Sequence, residues 1–102
     1  MVHFAEMTDE ERLARLERKA AEIRKMLFGI LLMSKDAWKD NLSQRREGLE
    51  IMEAVEKAEE LFTEGTPHDS LKRLEHTIDI INQRAKSIFD LMVYISENKK
   101  HD

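Results

Sequence analysis

The sequence predicts an all-α protein, an antiparallel bundle of three long helices running up, down and up. Three observations lead there. The 102 residues hold three glycines, one proline and no cysteine. Such a chain has too few turn residues for many short strands, and no framework of disulfides or thiolate-held metal. Charged residues make up 37% and apolar residues 41%, a balance typical of amphipathic helices. Apolar residues also recur in alternating steps of three and four, the period of a helical seam like that of a coiled coil. The length sets one domain, 1–102. It comprises an arm at about 1–7, helices at 9–33, 35–64 and 67–97, and a tail at 98–102.

The first helix opens on Thr8-Asp9-Glu10-Glu11. A threonine followed three residues later by glutamate is a capping box, and the acids complement the positive end of the helix dipole. Leu13, Leu16, Ala20, Ile23, Leu27 and Ile30 then form its seam. The second helix takes Ser34 as N-cap and carries Trp38, Leu42, Leu49, Met52, Val55, Ala58 and Phe62. Arg45 falls at the seam position between Leu42 and Leu49, where it snorkels to the surface or sets register. Glu64-Gly65-Thr66-Pro67 is the firm break: glycine suits a left-handed C′ position, Thr66 an N-cap and Pro67 a first turn. The third helix has the longest seam, Leu71, Leu74, Ile78, Ile81, Ala85, Ile88, Met92 and Ile95. It frays near Asn98.

A turn at about Ser34 makes facing residues of the first two helices sum to about 68. That register sets Leu13 on Val55, Leu16 on Met52, Ala20 on Leu49, Leu27 on Leu42 and Ile30 on Trp38. It also flanks them with Arg12–Glu56, Arg15–Glu53 and Arg18–Glu50 pairs, and brings Gly48 against Ala20. An antiparallel dimer with one continuous helix from Asp9 to Thr63 satisfies the same sums as a domain-swapped form. No glycine, proline or asparagine stands at the Ser34 junction to decide between them.

The net charge of −4 argues against a nucleic-acid binder, which carries a basic excess. The longest apolar run, Met26 to Met33, is far short of the roughly 20 residues that span a bilayer. The N-terminus has no basic segment leading into an apolar run, so no secretory signal is expected. A cytoplasmic address follows, and no cofactor.

His3, His68, His76 and His101 form no Glu-x-x-His or His-x-x-x-His spacing, so no metal site is expected. His76 lies on the outer face of the third helix, where an accessible imidazole suits phosphotransfer. Glu50, Glu53, Glu56, Glu60 and Glu64 share one broad face and read as solvated partners for arginines. The pattern Leu71-x-x-Leu74-x-x-x-Ile78-Asp79-x-Ile81-Asn82 resembles the first helix of AroQ-type chorismate mutases over a dozen residues. Glu75 stands where that family carries arginine, and no family is assigned on it.

The function expected is a non-enzymatic protein–protein interaction module: an adaptor, small chaperone or assembly regulator whose partners are itself, as a homodimer, and another protein. Its candidate interface is Phe28, Leu31, Leu32, Trp38, Phe89 and Val93, because the three most apolar stretches converge at one end of the bundle. The alternative is a phosphotransfer or small-ligand-binding bundle centred on His76.

Overall fold

The structure, a computed structural model, describes residues 7–100. Most of the expected arm, at 1–6, and the tail residues 101–102 lie outside the described residues, and with them His3 and His101. Three helices make up the rest: α1 (Asp9–Leu31), α2 (Leu42–Glu64) and α3 (His68–Lys100). They form the antiparallel up-down-up bundle, and α1 packs most extensively on α3, less on α2. At 33 residues, α3 is about 50 Å long, which accounts for most of the 54 Å long axis.

The start of α1 is the capping box. The Thr8 hydroxyl accepts from the Glu11 N–H at 3.1 Å, and the Thr8 N–H donates to Glu11 Oε1 at 3.1 Å. Two of the helix's unpaired terminal groups are thereby satisfied. The α1 seam is buried from Leu16 to Ile30, and the α3 seam from Leu71 to Met92. Ile23, Leu27, Leu71, Ile78 and Met92 are fully buried, each stabilising the fold by about 1.5–3 kcal/mol through removal of apolar surface from water. Polar side-chain contacts in ascending order show that α1 and α3 run parallel: Asp9 with His68, Arg12 with Glu75, and Lys19 with Asp79.

The junction between α1 and α2 differs from the sequence expectation. Helix α1 ends at Leu31 rather than 33, and α2 begins at Leu42 rather than 35. Residues 32–41 reverse the chain, so the closed bundle forms and the continuous helix from Asp9 to Thr63 does not. Successive short turns carry the reversal, with Ala37 N–H donating to Ser34 O at 3.0 Å, Trp38 N–H to Lys35 O at 3.0 Å and Asn41 N–H to Trp38 O at 2.7 Å. Ser34 caps only this turn, its hydroxyl accepting from Ala37 N–H at 3.4 Å. Trp38 anchors it: the ring is wholly buried, and Nε1 donates to the Ile30 carbonyl at 3.3 Å. That carbonyl is one of the last four of α1, which have no partner within the helix.

The longer connector moves α2 along α1. A Cβ on Gly48 would stand 3.5 Å from Leu31 and 3.9 Å from Leu27, not beside Ala20. The shift is about two to three helical turns. Gly48, Ile51, Val55 and Ala58 are therefore the buried residues of α2, while Leu42 and Leu49 are exposed. The pairing of Arg12, Arg15 and Arg18 with Glu56, Glu53 and Glu50 does not form. Arg12 turns instead to Glu75 on α3, with Nε–Oε2 at 3.0 Å and Nη2–Oε1 at 2.5 Å. The α1–α2 ion pair is Arg24 with Glu59.

At the second junction Gly65 has φ 105°, the left-handed region open to glycine. Its N–H donates to Leu61 O at 3.1 Å, closing α2. The Thr66 hydroxyl also donates to Leu61 O, at 3.1 Å, rather than capping α3. Helix α3 begins at His68 and continues past Asn98 to Lys100.

Candidate functional site

The features that stand out are on the surface of the bundle, and helical periodicity locates them. On α1, Arg24 and Leu31 face α2 through Glu59 and Gly48, while Arg12 and Lys19 face α3 through Glu75 and Asp79. At 100° per residue, Phe28 and Leu32 then lie beyond the α2-facing side, turned away from α3. On α2, Gly48 and Glu59 face α1, and Glu47 faces Arg84 of α3. The same rotation turns Leu42, Leu49, Glu53 and Glu56 outward, on the side away from α3. Phe28 is 56% exposed, Leu32 70%, Leu42 62% and Leu49 44%. Four large apolar side chains thus open on one face spanning α1 and α2.

The face is charged at both ends. Beside Leu42 lies a groove of about 530 Å³ lined by Lys35, Asp36, Lys39, Leu42 and Arg45. Toward the C-terminal end of α2 lies another of about 430 Å³, lined by Arg24, Glu56, Glu59, Glu60, Thr63 and Glu64. Arg45 is half-buried and pairs with no carboxylate among the described residues. Its Nε is buried without a hydrogen-bond partner.

The six expected interface residues do not form one surface. Phe28 and Leu32 belong to the α1–α2 face. Leu31 is half-buried against the core beside Gly48. Trp38 is in the core, drawn inward because its ring fills the chain reversal and its N–H serves the end of α1. Phe89 and Val93 are half-buried on the opposite flank, where with Gly29, Ile30, Met33 and Met92 they line an α1–α3 groove of about 370 Å³. Leu42 and Leu49 were missed as surface residues. The available signal was a second stripe, Gly48, Ile51, Val55, Ala58 and Phe62, which steps three and four without a fault; the series Leu49, Met52, Val55 steps three twice.

His76 is exposed midway along the first half of α3. Its neighbour Glu75 is committed to Arg12, and that guanidinium's hydrogen bonds and charge hold the Glu75 carboxyl below the usual carboxylate range, with Arg15 adding to the effect and partial desolvation opposing it. The same pairing raises the Arg12 guanidinium, and the hydrogen bonds that Arg24 donates to Glu59 raise that of Arg24. His68 Nδ1 lies 2.8 Å from Asp9 Oδ2, tying the starts of α1 and α3.

Among the described residues, no group of three or more His, Asp or Glu is placed to hold a metal ion. No helix among them is long and apolar enough to cross a membrane. No protein-family model matches the chain, and no curated protein or solved structure is significantly similar to it.

Proposed function

We propose that the protein is a non-enzymatic helical interaction module, an adaptor or assembly regulator, working through the α1–α2 face. The observation that carries the reading is the outward placement of Phe28, Leu32, Leu42 and Leu49 on one face. Four of the seven large apolar residues exposed on the described surface gather there. Apolar side chains scattered singly are ordinary, whereas a shared face rimmed by polar groups marks an interaction site. The charged grooves at its two ends supply that rim and add orientation to any complex. The module acts in the cytoplasm on this reading, in keeping with a chain free of cysteine. Its net charge of −4 favours protein over nucleic acid as partner.

The test is a photo-crosslinking amino acid placed at Phe28 or Leu49, with Ile80 of α3 as an exposed control, in extract of the native cell. Protein adducts, to this chain or another, should appear at 28 and 49 and not at 80. Equal or absent labelling at all three sites overturns the reading.

The second reading, phosphotransfer or ligand binding centred on His76, rests on the exposure of that side chain.

A further inference from the structure

We infer that the occupant of the α1–α2 face is a second copy of the same chain, packed antiparallel about a two-fold axis near Leu49. The inference rests on the interaction reading and adds the partner's identity and orientation.

Charge carries the argument. Residues 35–46 hold four basic and two acidic side chains, whereas residues 47–64 hold seven glutamates and one lysine. The basic groove around Leu42 and the acidic groove around Glu60 thus sit toward opposite ends of one helix. Rotation by 180° about Leu49 lays each groove of one copy toward the other groove of its mate. A parallel pairing stacks acid on acid instead, and flanking charges of this kind set helix orientation. A two-fold interface must be self-complementary, and a face basic at the connector and the start of α2 and acidic toward the end of α2 satisfies that requirement.

Unmet groups point the same way. Among the described residues neither Arg45 nor Glu53 forms an ion pair, and the buried Nε of Arg45 has no acceptor there. They lie four residues either side of Leu49, so the rotation brings Arg45 toward the partner's Glu53. Leu49 then meets the partner's Leu49 at the centre, with Phe28 and Leu32 of α1 beside it. The area needed is modest. A standard interface takes about 800 Å² from each partner, roughly a tenth of the 7647 Å² that the chain exposes.

The experiment is sedimentation equilibrium on the full chain and on Arg45→Glu, Glu53→Arg and the double variant, with helical content checked by circular dichroism. The parent should sediment as a dimer. Each single reversal should weaken dimerisation about tenfold or more, and the double reversal should restore it. Leu49→Cys, the lone cysteine in the chain, should be joined to its partner's copy by a short bismaleimide, while Ile80→Cys should not. A monomeric parent overturns the inference while leaving the interaction reading to the photo-crosslinking test, where adducts to a different protein would sustain that reading alone. A dimer indifferent to both reversals, or one linked through Ile80→Cys, places the interface elsewhere and overturns the inference as well.

Discussion

The indole Nε1 of Trp38 donates to the main-chain carbonyl of Ile30 at 3.3 Å, with the ring wholly buried. The Ile30 carbonyl also accepts from the Met33 N–H at 3.1 Å, so the indole adds a second bond at the end of α1 and its ring fills the chain reversal that follows. The relationship explains how the chain turns between 32 and 41 without glycine or proline: burial of a large ring and satisfaction of a terminal carbonyl hold it there. Trp38→Ala is expected to destabilise the fold by about 3–5 kcal/mol. Trp38→Phe keeps most of the packing and loses the hydrogen bond, at about 0.5–1.5 kcal/mol. Urea denaturation of the two variants measures the difference.

The glycines separate by site. A Cβ on Gly48 would meet Leu31 at 3.5 Å, an ordinary contact, and one on Gly29 would meet nothing within 4 Å. Both are helical, so Gly48→Ala and Gly29→Ala should each stabilise the protein by about 0.5–1 kcal/mol. Gly65, at φ 105°, should behave oppositely, since an L side chain there costs about 1–2 kcal/mol. Thermal melts of the three variants would show two increases and one decrease in Tm.

Glu75 predicts part of the acid limb of stability. Its carboxyl titrates below its ordinary value when folded, because Arg12 hydrogen-bonds to the charged form. A group whose folded pKa is depressed contributes stability above its unfolded pKa, and that contribution is lost as pH falls through the folded value. The contribution of the pair is therefore complete at neutral pH and fades below about pH 4.5. Glu75→Gln should be less stable than the parent at pH 7 and should lose less stability on acidification. Denaturant midpoints measured between about pH 7 and pH 3 would compare the two slopes. Parallel slopes would remove Arg12–Glu75 as a source of acid sensitivity.

His76 offers a direct test of the second functional reading. On the interaction-module reading, a small phosphodonor such as phosphoramidate leaves no labelling at this position beyond that at exposed His68. Intact-protein mass spectrometry of the parent and of His76→Gln measures it. Rapid labelling that disappears in His76→Gln would favour phosphotransfer.

Much of the candidate face was legible in part. Phe28 and Leu32 stood out as apolar residues off the α1 seam, and they are exposed. Arg45 stood out as a charged residue on an apolar stripe, and its Nε lacks a partner. Spacing alone places Leu42 and Leu49 on the seam, because α2 carries two overlapping apolar stripes that local spacing does not rank. The displacement of about two to three turns that selects one stripe comes from ten residues of connector, whose path depends on where the Trp38 ring is buried.

The sequence by itself determined the three helices, the stripes of α1 and α3, the capping box at Thr8 and the break at Gly65. These rest on interactions between residues a few positions apart, which spacing records directly. Tertiary structure decided the closed reversal over the continuous helix, the buried stripe of α2, and the partners of Arg12 and Arg24. Each depends on contacts between residues far apart in the chain, where the position of one helix along another sets which side chains meet. The outer face of α2 was decided at the same level, as the stripe left over once the core had taken the other.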